Sequence, residues 1–93
     1  MDIQVFEADL RAQGYQVITS VEKPPGYAMG EHTHPFDACA LIVSGDFTIT
    51  VDGQARHYGV GDVFRLPAGT VHTENAGSQG VHYRAGRRSK EQA

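Results

Sequence analysis

The chain has 93 residues and a formal net charge of -3 at pH 7, with 8 basic and 11 acidic side chains. This length favours a single domain, residues 1–93, with a core small enough that a metal ion or a second subunit would add stability. The absence of a basic stripe excludes nucleic acid as the expected partner. No apolar run approaches the roughly 18 residues of a membrane helix, and no signal-like segment is present, so we predict a cytoplasmic protein without membrane contact.

The first predicted element is a short helix over residues 3–13, within an N-terminal segment 1–14. Asp2 can cap this helix and Gly14 can end it. Its apolar stripe consists of Ile3, Phe6 and Leu10. A helix of this length is unstable alone, so the stripe must pack on other structure.

Short strands separated by turns are predicted for the rest of the chain. The segment 15–23 is one strand, residues 38–58 form two strands and the start of a third, and residues 60–86 form three more. Asp52-Gly53 is typical of a tight hairpin. Many short strands with frequent turns indicate an all-β fold, so we predict a small antiparallel β-barrel over residues 15–86.

Positive charge gathers near the end of the sequence. It is carried by Arg84, Arg87, Arg88 and Lys90. We interpret residues 87–93 as a solvated tail, because such a charge run at a chain end is usually hydrated and frayed.

Three histidines suggest a metal site. His32 and His34 stand at i and i+2, which places both imidazoles on one face of a strand. His72 lies far along the chain in another strand-like segment, which a barrel can bring close. A lone His-x-His pair is weak evidence, so the interpretation depends on the residues around it.

The glycine and proline spacing around these histidines resembles that of the cupin superfamily. The first motif is matched by Gly26, His32, His34 and Gly45, and the second by Gly61, Pro67, Gly69 and His72. The resemblance implies a jelly-roll-like barrel in which His32, His34 and His72 bind one divalent metal ion: Zn, Fe, Ni, Mn or Cu. The chain departs from the pattern at Ala38, where the motif has a glutamate, and at Ala76, where it has an asparagine.

The fourth metal ligand is open at this point. Glu74 is the leading candidate, because a regular strand points it the same way as His72. It could act as a ligand, as a partner of a ligand or as a general base. Asp37 neighbours the missing glutamate but points away unless a bulge intervenes. Cys39 is the single cysteine, and we interpret it as a small buried residue rather than a ligand.

Two further histidines are assigned no metal. His57 follows the hairpin and is predicted to be exposed. His82 shares a strand face with Arg84, and the sequence leaves open whether this pair faces the cavity.

Three classes of function remain for such a protein. The resemblance permits a metal-dependent enzyme of oxygenase, isomerase or lyase type, since some members of the superfamily bind iron through three histidines alone. The alternatives are a non-catalytic small-ligand sensor and a scaffold whose metal only supports the fold. In each case we expect a small, anionic or chelating ligand. We also expect a homodimer that buries Leu41, Val43 and the helix stripe.

Overall fold

A computed structural model describes residues 2–89 of the chain. They form the helix α1 (Ile3–Ala12) and the strands β1 (Val17–Lys23), β2 (Ala28–His32), β3 (Phe36–Val51), β4 (Gln54–Tyr58), β5 (Val63–Leu66) and β6 (His72–Ser89). The predicted all-β fold with a short N-terminal helix is therefore confirmed. No helix within these residues combines the length and the hydropathy needed to span a membrane.

The helix begins and ends where the sequence indicated. The Asp2 side chain accepts a hydrogen bond from the backbone N–H of Gln4 at 2.7 Å, which caps the first turn. Gly14 follows the C-terminus with φ 91°, a conformation that glycine adopts without strain. Phe6 and Leu10 are buried, whereas Ile3 remains 38% exposed, so the apolar stripe is covered only in part.

Two long antiparallel strands, β3 and β6, form the centre of a six-stranded sheet. The first half of β3 pairs with β5 and the second half with β4. In the same way, the first half of β6 pairs with β2 and the second half with β1. The result is two four-stranded halves in a jelly-roll-like arrangement. The ladders among residues 2–89 do not close into a hydrogen-bonded ring, and the arrangement is the jelly-roll-like form of the predicted β-barrel.

The two halves meet at bends in the long strands. The register of β3 against β6 shifts on both sides of Gly45, which has φ 76°. A Cβ atom at Gly45 would collide with the backbone carbonyl of Gly80. The sequence predicted separate short strands on each side of these glycines. The structure corrects this, because glycine lets each strand bulge and bend without ending.

The main core lies between the two halves and is lined by their inner faces. It consists of Ala40, Ile42, Phe47, Ile49, Phe64, Leu66, Ala76, Val81, Tyr83 and Ala85. A second cluster lies on the outer face of the first half, where α1 packs on the sheet. It consists of Phe6, Leu10, Tyr15, Cys39 and Leu41. The helix thus covers Leu41 within the chain, and Leu41 offers no surface to a second subunit.

The end of β6 corrects the predicted tail. Arg87 to Ser89 lie within this strand, beyond the predicted end of the barrel at residue 86. Arg84 pairs with Glu7 of α1, and Arg88 pairs with Asp37 of β3, each at 3.1 Å. These side chains are held by carboxylates rather than simply solvated. Lys90 lies outside the described residues.

Candidate metal centre

Four potential metal donors converge inside the molecule. His32 and His72 are direct partners in the β2–β6 register. Glu74 follows His72 at the next inward position of β6, as strand alternation predicted. One donor atom from each of His32, His34, His72 and Glu74 lies within 4.8 Å of the others.

His34 reaches the group from outside regular structure. The sequence predicted His32 and His34 on one strand, but β2 ends at His32. The backbone N–H of Gly69 donates to the His34 carbonyl at 2.9 Å, which fixes the loop next to the turn before β6. The His34 ring centroid lies 5.1 Å from that of His32 and 5.0 Å from that of His72.

Backbone carbonyls set the tautomers of two histidines. Nδ1 of His32 lies 2.7 Å from the carbonyl of Gly30, and Nδ1 of His72 lies 2.9 Å from that of Thr70. Because a carbonyl oxygen only accepts, each Nδ1 must carry the hydrogen. In the neutral rings the lone pairs therefore lie on Nε2, the nitrogen that faces the centre.

The same geometry brings hydrogen-bond acceptors of three side chains close together. Oε2 of Glu74 lies 3.3 Å from Nε2 of His32 and 3.0 Å from Nε2 of His72. The Glu74 residue is 7% exposed and His72 is 1% exposed, so water cannot screen this contact well. Lone pairs on two imidazoles and one carboxylate repel unless a cation lies among them, either a proton or a metal ion. Neutral imidazoles and a carboxylate are the donors that divalent transition metals take, so the residues fit such an ion.

Aromatic side chains hold the donors in place. The Tyr27 hydroxyl donates to Oε1 of Glu74 at 3.3 Å, which leaves Oε2 directed at the histidines. Burial, together with the Glu74 carboxylate, raises the pKa of Tyr27, so the hydroxyl keeps its hydrogen. Phe36 stacks on His34 with ring centroids 4.9 Å apart and planes 5° apart. Burial, followed by the neighbouring His72, lowers the pKa of His34, which favours the neutral form that binds metal.

A cavity of about 150 Å³ opens beside the donors and is lined by residues of β1, β2, β3, β5 and β6. Its wall is largely apolar and includes Ala38, the position at which the cupin motif has a glutamate. Two cationic side chains, Lys23 and Arg87, also line it. A larger cleft of about 400 Å³ lies along β4 and is lined by none of the four donors.

The remaining candidates lie outside this centre. Asp37 faces away, where it accepts from the backbone N–H of Ala68 at 2.8 Å and pairs with Arg88. Cys39 is buried under α1, as predicted for a small packed residue. His57 is exposed, as predicted, and lies 3.3 Å from Asp46.

His82 and Arg84 also face away from the cavity. Arg84 contacts Glu7 and Ser20 on the outer face. His82 lines a separate shallow pocket with Glu22 and Ser44. The sequence left open whether His82 and Arg84 face the cavity, and the structure shows that they do not.

Sequence reasoning missed four side chains around the donors: Lys23, Tyr27, Phe36 and Arg87. The signal for Arg87 was present, since Val81, Tyr83 and Ala85 alternate toward it as the inner face of a strand. Tyr27 and Phe36 flank the His-x-His segment, where aromatic residues could have been weighed as its support.

This architecture defines a jelly-roll protein with a histidine-rich centre at one end of its core. Residues 19–83, more than half of the chain, match the family described as the cupin domain. The chain belongs to the cupin family. No protein with a curated description shows significant sequence similarity to it.

Solved structures support the same fold. A protein of unknown function from Rhizobium leguminosarum superposes with TM-score 0.73 at 19% identity, covering 77% of this chain and 68% of its own. A conserved protein of unknown function from Streptococcus pyogenes gives 0.68 at 28% identity, with coverages of 77% and 62%. A cupin superfamily protein from Desulfitobacterium hafniense gives 0.69 at 25% identity, with coverages of 78% and 66%. The chain thus spans about two thirds of the length of these similar proteins.

Proposed function

We propose that His32, His34, His72 and Glu74 bind one divalent metal ion, and that the metal binds a small anionic ligand in the adjacent cavity. A metal in such a site supplies a Lewis acid that polarises an oxygen-containing group. Candidates for the ion are Zn, Fe, Ni, Mn and Cu, all of which accept imidazole donors. Glu74 takes the role of the carboxylate that Ala38 cannot supply. A further role of Glu74 as a general base stays a prediction.

The main support for this proposal is that three hydrogen-bond acceptors lie close together without a hydrogen between them that the tautomers supply. The Nε2 atoms of His32 and His72 face one oxygen of Glu74 in a buried site. Proteins retain such an arrangement where a cation offsets the repulsion and the cost of burying the carboxylate. The two backbone carbonyls that hold Nδ1 of each ring support the same conclusion, because metal-binding histidines commonly donate their second nitrogen to such a group.

Elemental analysis of the purified protein, followed by metal titration, tests the site. We expect one equivalent of divalent metal in the wild type and a loss of most of it in His34→Ala. The matched control is His57→Ala, which removes an exposed imidazole outside the centre and should leave the metal content unchanged. Stoichiometric metal in a variant with His32, His34 and His72 all changed to alanine would contradict the proposal.

Turnover separates the two functional classes that this site allows. Three imidazoles and one carboxylate fill four positions, so a five- or six-coordinate ion still has room for a ligand. An enzyme would convert small anionic substrates in proportion to metal content. A sensor would instead gain thermal stability from the ligand without converting it.

We also propose a homodimer. Within the described residues, apolar side chains such as Val5, Val17 and Val43 remain 53%, 57% and 37% exposed. Among residues 2–89, β1 pairs on one side only, with β6, and its other edge offers backbone groups that a second copy could satisfy. Light scattering at micromolar concentration should report twice the chain mass, and a monomer would reject the proposal.

A further inference from the structure

Arg87 and Ala38 lie opposite each other on the wall of the metal-centre cavity. They are direct partners in the β3–β6 register, and both line the cavity. Directly opposite residues on one face of an antiparallel sheet have Cβ atoms about 4.5–5.5 Å apart. Because the alanine side chain ends at Cβ, the space beside the Arg87 side chain is open toward the cavity.

The Arg87 guanidinium has no carboxylate partner within residues 2–89, unlike its neighbours along β6. Arg84 and Arg88 each pair with a carboxylate at 3.1 Å on the outer face. Arg87 instead lies over the ring of Phe36, with its guanidinium carbon 4.7 Å from the ring centroid. A cation–π contact does not occupy the N–H donors of the guanidinium, so they remain available to an anion.

The same contact links Arg87 to the metal centre. The Phe36 ring stacks on His34, so the guanidinium lies one aromatic ring away from a metal donor. A divalent ion balanced by the single charge of Glu74, together with Arg87, leaves a net positive charge beside the cavity. Both the metal ion and Arg87 would attract an anion to this side of the cavity.

The size and lining of the cavity limit the body of the ligand. A volume of about 150 Å³ corresponds to about five water molecules of roughly 30 Å³ each. The wall beyond Ala38 is apolar and includes Phe64, Leu66 and Ala85. These properties suit a small molecule with one charged end and a short apolar chain.

We infer that Arg87 is the residue that selects the ligand, and that it binds the carboxylate of a small monocarboxylic acid in the space between its guanidinium, Ala38 and the metal. The inference rests on the proposed metal centre and names the ligand class of that site. A guanidinium recognises a carboxylate through two parallel hydrogen bonds, which a neutral amide cannot match.

Cobalt(II)-loaded protein provides the test, because the visible absorption of this ion reports its coordination. We use butyrate as the probe and butyramide as its uncharged equivalent. Wild-type protein should bind butyrate at least about tenfold more tightly than butyramide. Equal binding of the two, or no binding of butyrate, overturns the inference.

Three variants isolate Arg87. Arg87→Gln should take up cobalt normally and bind butyrate at least about tenfold more weakly than the wild type. Arg84→Gln, which removes an arginine from the outer face of the same strand, should bind butyrate like the wild type. Ala38→Glu places a carboxylate beside Arg87 and should abolish butyrate binding.

The outcomes distinguish this inference from the metal proposal. Full cobalt uptake with butyrate binding that does not depend on Arg87 overturns the inference alone. Loss of cobalt from Arg87→Gln also overturns it, since Arg87 would then support the centre rather than the ligand. Failure of the wild type to take up cobalt contradicts the metal centre itself, and the inference fails with it.

Discussion

His32 and His72 face each other across the β2–β6 ladder, and Nε2 of each ring lies within hydrogen-bond distance of the same oxygen of Glu74, at 3.3 and 3.0 Å. One carboxylate thus lies between histidines from two distant parts of the chain. The ladder fixes the backbone positions of both rings before any ion binds, so little ordering remains to be done on binding.

Replacing the shared carboxylate tests its part in metal binding. Glu74→Gln keeps the shape of the side chain but removes its charge, and an amide oxygen is a weaker ligand for a transition metal. We expect the metal affinity to fall at least about tenfold, which corresponds to about 1.4 kcal/mol. Isothermal titration with zinc measures this. Glu7→Gln, which makes the same charge change on the outer face, should leave the affinity unchanged, and equal losses in both variants would count against a specific role.

Metal affinity should depend on pH with a defined sign. An imidazole must be neutral to coordinate, so protons compete with the metal as the pH falls. Burial lowers the pKa of His34 below its usual 6.5, so this residue stays neutral to lower pH than a free histidine. We expect a nearly constant affinity above about pH 7 and a loss as the pH falls through about 6. An affinity that rises on acidification would contradict imidazole coordination.

The free energy of unfolding of the metal-free protein should also decrease as the pH falls. Because the pKa of His34 is lower in the folded state than in the unfolded state, the unfolded chain binds more protons just below pH 6.5. The contribution of His34 to the free energy of unfolding is therefore present above 6.5 and is lost as the pH falls toward the folded-state pKa. Urea titrations across this range measure it, and His34→Ala should lack this part of the dependence.

Cys39 should be inert toward thiol reagents in the native protein. It is 1% exposed beneath α1, and burial raises the pKa of its thiol, so both access and thiolate formation are suppressed. We expect maleimide labelling at neutral pH to be slow in the native state and complete in guanidinium chloride. Rapid labelling of native protein would show that α1 detaches readily from the sheet.

The bend of the long strands can be tested with two alanine substitutions. Gly45 and Gly53 have nearly the same φ, 76° and 77°. A Cβ atom at Gly53 would meet open space, whereas one at Gly45 would collide with the Gly80 carbonyl. We expect Gly53→Ala to cost about 1 kcal/mol of stability. Gly45→Ala should cost a further ~1–3 kcal/mol, as judged by urea unfolding, because the strands must separate. Equal losses would contradict the close approach at the bend.

Local patterns in the sequence determined much of the fold. The cap and stop signals located α1, and Asp52-Gly53 located the β3–β4 hairpin, where both residues have positive φ. Strand alternation from His72 placed Glu74 on the same face without any tertiary information. Each of these features depends on residues close together in the chain, so each can be derived from neighbours alone.

Local alternation of Val81, Tyr83 and Ala85 already indicated one apolar face in the second half of β6. Tertiary structure decided that this face continues to Arg87 and lines the metal-centre cavity. Continued alternation from His72 and Glu74 would have pointed His82 and Arg84 into the cavity. The register shift around Gly80 reverses the faces, so Tyr83 and Arg87 point inward instead. A bulge reverses every following side chain, and its presence depends on where β3 and β6 meet in space. The sequence by itself therefore specified the three histidines and Glu74 as candidate donors, whereas the place of Arg87 beside them was decided by packing between strands far apart in the chain.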